Sequence, residues 1–207
     1  MPDATKPVRK SAEPLVGVRV LVVDDHAFTA SLIRDLLYAA GAQSVTVARD
    51  GEEALSALRY CQPHLVITDW RMPVMDGLGF TRIVRRAAVK PDKRVPNPRV
   101  PIILLSAHAS VKAVETARLA GVTEVLAKPF TTATLIQRIV AATADPRAFV
   151  VAGDYVGPDR RRRNTGGRKS RRAGDPPPAS EFEDENSVLS QLQAQLDAFE
   201  RRPRRSA

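Results

Sequence analysis

Leu65-Val66-Ile67-Thr68-Asp69 is an apolar run that ends on a carboxylate and passes directly into Trp70-Arg71-Met72-Pro73-Val74-Met75-Asp76-Gly77, a tight loop containing proline and glycine. A continuous apolar stretch bounded by turn residues has no polar face to offer water. It therefore suits a central strand of a parallel sheet covered on both sides. Open α/β sheets bind ligands in the crevice beyond the carboxyl ends of their strands, where Asp69 then stands. Taken alone, the stretch is equally well an ordinary acidic residue opening a loop.

The rest of the chain repeats the pattern. Residues 18–23 form a β-branched apolar strand that ends on Asp24-Asp25. Phe28, Leu32, Ile33, Leu36 and Leu37 then recur at helical spacing, and Gly41 suits the helix C-terminus. Residues 44–48 are a short second strand, and Asp50-Gly51-Glu52-Glu53 opens a helix with acids at the positive end of its dipole. After the strand ending at Asp69 come a helix over 79–89 and a basic, proline-rich loop over 90–99. A strand over 101–105 ends on Ser106, and a helix over 110–120 stops at Gly121. A fifth strand over 122–127 ends on Lys128-Pro129, and a last amphipathic helix spans 131–142. Five βα repeats predict an α/β fold, a doubly wound five-stranded parallel sheet with helices on both faces.

Asp24, Asp25, Asp69, Ser106 and Lys128 thus fall at the carboxyl ends of four strands, which a parallel sheet brings to one edge. Three clustered carboxylates repel one another unless a cation sits among them. Mg²⁺ is a hard ion held by one or two carboxylates, waters and phosphate oxygen, so it suits the set. With the ion bound, Asp69 can act as nucleophile on a phosphoryl group. Lys128 balances the added charge, and Ser106 donates a hydrogen bond to a phosphate oxygen. A cis peptide before Pro129 would aim Lys128 inward.

Val22-Val23-Asp24-Asp25, Thr68-Asp69-Trp70-Arg71-Met72-Pro73 with Met75-Asp76-Gly77, Ser106-Ala107 and Lys128-Pro129-Phe130 together resemble the receiver domain of bacterial response regulators, CheY-like and single-domain. The resemblance covers about residues 16–143. It implies a flavodoxin-like fold, with Mg²⁺ at Asp24, Asp25, Asp69 and the Arg71 backbone carbonyl. It further implies phosphorylation of Asp69 by a sensor histidine kinase or phosphotransfer protein, in a phosphorelay that controls a downstream protein partner, as in chemotaxis or motility. The only enzymic acts implied are self-catalysed phosphoryl transfer and autodephosphorylation. Ser106 and Lys128 would follow the phosphoryl group and shift the face made by the fourth helix, fifth strand and fifth helix. Family members often carry an aromatic switch residue three places before the lysine, where this chain has Val125, so a smaller rotameric change is implied. Arg71 and His108 occupy positions that tune autodephosphorylation in the family.

Charge and composition frame what lies outside that domain. The 207 residues carry a formal charge of +9, which favours acidic or anionic partners. Cys61 is the single cysteine, so no internal disulfide forms, and it is expected to pack as a small apolar residue. No apolar run approaches the roughly 18–20 residues that span a membrane, and the first 14 residues hold no apolar signal core. A cytoplasmic protein is expected. Its division is a leader over 1–16, the receiver over 17–145, a basic Pro/Gly-rich linker over 146–180, an amphipathic helix over 181–200 and a basic tail over 201–207. Phe149-Val150-Val151 and Tyr155 are expected to pack back on the domain, with order ending at Gly157-Pro158.

The stretch 160–172 holds Arg160, Arg161, Arg162, Arg163, Arg168, Lys169, Arg171 and Arg172 without one acid. It is either a solvated segment or an anion site, since guanidiniums grip phosphates bidentately. Its resemblance to arginine-rich extensions of some CheY-like proteins makes cyclic di-GMP a candidate ligand, which gives an alternative function with the receiver as scaffold or second input. No helix-turn-helix pattern, zinc spacing or Walker glycine signature appears, which argues against a DNA-binding regulator. Ser180 and Glu183 form a capping box for a helix whose stripe of Phe182, Leu189, Leu192, Leu196 and Phe199 suits docking on the receiver or on a partner.

Overall fold

The computed structural model describes residues 14–107, 110–144, 147–153 and 155–160. Five parallel strands, β1 (Arg19–Val23), β2 (Ser44–Ala48), β3 (Leu65–Asp69), β4 (Ile102–Ser106) and β5 (Glu124–Ala127), form one sheet in the order β2-β1-β3-β4-β5. Between and after them run α1 (Ala27–Ala39), α2 (Gly51–Cys61), α3 (Gly77–Arg86), α4 (Val111–Ala120) and α5 (Thr132–Ala144). The α/β, doubly wound architecture expected from the five repeats is the one observed.

Alternation along each strand decides which layer each side chain joins. Val20, Val22, Leu65, Ile67, Ile103 and Leu105 point to one face and pack with Ile33 and Leu37 of α1 and Leu135 and Ile139 of α5. Leu21, Val23, Val66 and Ile102 point to the other, against Leu55 and Leu58 of α2 and Phe80 and Val84 of α3. Leu104 meets a smaller cluster with Leu78, Ala117, Ala120 and Val122, which Trp70 and Val125 flank. Because strands β1, β3 and β4 are buried on both faces, they carry almost no polar residue before their last position.

Local chemistry sets the helix ends. The Asp50 side chain accepts from the backbone N–H groups of Glu52 and Glu53, both at 2.9 Å, and so caps α2. Asp76 caps α3 through Gly79 N at 2.6 Å, and Ser110 caps α4 through Ala113 N. The α3 helix starts at Gly77 and ends at Arg86, earlier at both ends than the 79–89 expected. Strand β5 begins at Glu124 instead of residue 122, because the Val122 N–H is used by the Ala117 carbonyl to close α4. The proline-rich segment after α3 is irregular, as expected, yet Val95 is buried in the core, and Arg94 pairs with Asp92 within the segment and with Glu52 of α2.

One element departs from the sequence reading. Within the stretch expected to be linker, β6 (Phe149–Ala152) and β7 (Tyr155–Pro158) pair antiparallel as a hairpin. Gly157 and Pro158, where order was expected to end, are buried strand residues. The remaining linker from Arg161, the 181–200 helix and the 201–207 tail lie outside the described residues, as do the leader residues 1–13.

Candidate functional site

The order β2-β1-β3-β4-β5 places its switch point between β1 and β3, and the acids stand at that point. Asp24 follows β1 and its side chain is wholly buried, whereas Asp25 is partly open. Asp69 ends β3 with 13 % of its side chain exposed, enough to meet a ligand without leaving the crevice. Ser106, the buried last residue of β4, lies beside the end of β5: its carbonyl accepts from Lys128 N at 2.7 Å.

Lys128 closes the arrangement. Its Nζ lies 3.0 Å from Asp24 Oδ2 and 2.6 Å from Asp69 Oδ1, so one ammonium bridges the ends of β1 and β3 from β5. The Lys128-Pro129 bond is cis. Burial pulls the Lys128 pKa down, but hydrogen bonds to Asp69 and Asp24 outweigh it and hold the group above its ordinary value. The second oxygens of the two acids are held by backbone. Asp24 Oδ1 accepts from His26 N at 2.9 Å and Asp69 Oδ2 from Arg71 N at 3.1 Å.

Replacing Lys128 with alanine is expected to leave Asp24 buried against Asp69 with no counter-ion. Unfolding stability in a chelating buffer should fall by about 2 kcal/mol, less than the roughly 3–5 kcal/mol of a fully buried pair because the lysine is part-exposed. Because the folded pKa exceeds the free lysine value, the ion-pair contribution is fully present below the ordinary 10.5 and lost as pH rises through the folded value. Denaturant unfolding at neutral and alkaline pH checks both statements.

The loop after β3 is shaped by two contacts. A Cβ on Gly77 would sit 2.2 Å from the Asp69 carbonyl oxygen, so only glycine lets α3 start against the end of β3. Met75 N donates to Pro73 O at 2.6 Å across Val74, whose φ is 61°. This is a γ-turn with positive φ at its centre, which a β-branched residue adopts only under strain. Val74 is 84 % exposed and loses no packing if replaced. Val74→Asn should therefore raise stability by about 1 kcal/mol, measured as a shift in the denaturant midpoint.

The other predicted residues fall as follows. Arg71 is exposed at the rim, and Val125, like Trp70, packs against the cluster of Leu104 and Ala117. Arg160 is exposed and stacks on Tyr155, its Cζ 4.6 Å from the ring centre. Arg161, Arg162, Arg163, Arg168, Arg171, Arg172 and His108 lie outside the described residues. Sequence reasoning missed His26, whose Nδ1 is 3.1 Å from Asp25 Oδ1 and 3.7 Å from Asp24 Oδ1. Ligand atoms of Asp24, Asp25 and His26 all lie within 4.8 Å of one another. The adjacency Asp24-Asp25-His26 was the available signal. Carboxylate oxygens gathered at one sheet edge, two of them already sharing a cation, are the donor set a hard divalent ion takes. Among the described residues no helix is long and apolar enough to cross a membrane.

A 2-1-3-4-5 sheet with acids at its switch point and a lysine reaching them from the end of β5 is the architecture of a receiver domain. The model of the response regulator receiver domain family matches residues 20–140, and the chain belongs to that family. A probable chemotaxis protein CheY of Rhizobium etli is 37% identical over 114 residues, covering 55% of this chain and 83% of that protein. Chemotaxis protein CheY-3 of Vibrio cholerae is 30% identical over 123 residues, 59% of this chain and 89% of the relative. The receiver domain of the Pseudomonas aeruginosa sensor histidine kinase PA1611, solved with a magnesium ion in its active-site cleft, superposes with a TM-score of 0.54 at 31% identity. That match covers 63% of this chain and all of the solved one. The chain thus carries a CheY-like receiver domain of two-component signalling.

Proposed function

We propose that this receiver is phosphorylated on Asp69 by a histidine kinase or phosphotransfer protein and thereby switches its binding to a protein partner. The observation that carries the reading is the single ammonium of Lys128 spanning the buried Asp24 and the part-open Asp69. Asp24, Asp25, Asp69 and the Arg71 carbonyl would hold Mg²⁺, which supplies charge neutralisation for the incoming phosphoryl oxygens. An Asp69 oxygen attacks the phosphorus of the donor's phosphohistidine; the N–P bond breaks and the imidazole takes a proton. The new oxygens then compete with the carboxylates for Lys128, and Ser106 donates its hydroxyl to one of them. Those rearrangements pull the ends of β4 and β5 toward the pocket and alter the face beside Val125.

Beryllofluoride mimics a phosphoryl group on a carboxylate and tests the reading. Binding to the full chain is expected only with Mg²⁺, with amide protection changing around residues 106–128. A folded chain that binds no beryllofluoride in Mg²⁺ overturns it.

A further inference from the structure

The family match ends at residue 140, yet the chain after α5 turns back and packs on the receiver. Arg85, in the last turn of α3, is 1 % exposed and makes no ion pair among the described residues. Its Nε donates to Gly121 O at 2.8 Å, and its Nη1 to Pro98 O at 2.7 Å and Val100 O at 2.8 Å. Nη2 reaches Thr123 Oγ1 at 3.4 Å, and burial lowers the guanidinium pKa to about 10. One side chain thus ties the end of α3 to the end of α4, the start of β4 and the turn into β5.

The hairpin seals this junction. The Phe149 ring lies under both Arg85 and Arg99, with their Cζ atoms 5.8 and 5.2 Å from its centre. A Cβ on Gly157 would fall 2.9 Å from Gly121 Cα, and one on Gly121 would fall 3.0 Å from Val156 O. The two backbones therefore touch with nothing between them. Arg147 bonds the Thr123 carbonyl and Glu124 Oε1, the latter at 2.7 Å, and Glu124 also faces Arg138 of α5 at 3.5 Å. Asp159 N donates to Ala148 O at 2.6 Å and closes the base of the hairpin.

We infer that residues 147–160 are a built-in clamp that fixes the C-terminal end of α4 at Gly121, leaving its N-terminal end to answer to the pocket. Ser110, which caps that N-terminal end, lies four residues after Ser106. Helix α4 is then a lever with one anchored end. The anchoring stands independently of the proposed phosphorylation; the lever action rests on it.

Amide hydrogen exchange on the full chain, with and without Mg²⁺ and beryllofluoride, tests this. Gly157→Val forces the hairpin off Gly121. Without ligand it should speed exchange about tenfold or more at 117–122 and across 149–158, while strands β1 and β3 keep their protection. With ligand, the protection change over 111–121 should differ from the parent, although binding itself persists. Phe149→Ala keeps both backbones compatible and should give the same pattern in weaker form, which covers the case where the valine variant does not fold. Release of the hairpin with residues 117–122 unaffected in Phe149→Ala overturns the clamp, as does a hairpin unprotected in the parent. Failure of the parent to bind beryllofluoride would sink the phosphoacceptor reading and leave the ligand-free comparison to decide the clamp.

Discussion

Replacing Asp69 with asparagine is expected to cut phosphoryl incorporation from a small-molecule donor by at least about a thousandfold, to background. The amide has no anionic oxygen to attack phosphorus, and no other carboxylate has its position. Asp24 is wholly buried and bonded to Lys128 and His26 N, so it is not free to substitute. The fold should survive, since the amide oxygen can still accept from Arg71 N and Lys128 retains Asp24. Thermal unfolding of the variant within a few degrees of the parent would assign the loss to chemistry. Retention of labelled phosphate by the folded variant would place the acceptor elsewhere.

Arg85→Ala carries the largest expected cost to stability, about 3–5 kcal/mol. Removing the guanidinium strips donors from the carbonyls of Pro98, Val100 and Gly121 and opens a cavity among α3, α4 and β4. Arg85→Met should recover part of that loss. It refills the volume and removes a cation whose desolvation is already unfavourable, as its lowered pKa shows. Equilibrium urea unfolding of the two variants gives the order. Equal stability of parent and alanine variant would mean that the junction contributes nothing.

The receiver was legible in the chain because a parallel sheet writes itself locally. Leu65-Val66-Ile67 and Ile102-Ile103-Leu104-Leu105 are apolar at every position since both faces are covered, and the polar residue ending each run marks the edge of the crevice. Asp50 and Ser110 announce their helices through bonds made within three residues, whereas the Asp76 cap, which starts α3 ahead of the expected residue 79, was not read. That Phe149 packs back on the domain was legible too, but its pairing in a hairpin was hidden for the opposite reason. The Gly157-Pro158 pair reads as chain-breaking punctuation beside an arginine run, and it becomes strand only because Arg85, Gly121 and Phe149 meet across separations of tens of residues. His26 was missed because its bearing on Asp24 and Asp25 depends on how α1 begins.

By itself, then, the sequence determined the five βα repeats and the set of polar groups at the strand ends. Those follow from period and position along single strands. Only the tertiary structure decided that Lys128 bridges Asp24 and Asp69, that Val74 is held at positive φ, and that the buried Arg85, with no acidic partner among the described residues, bonds the Gly121 carbonyl at the far end of α4. Each depends on distance between elements, which packing sets and no local pattern encodes.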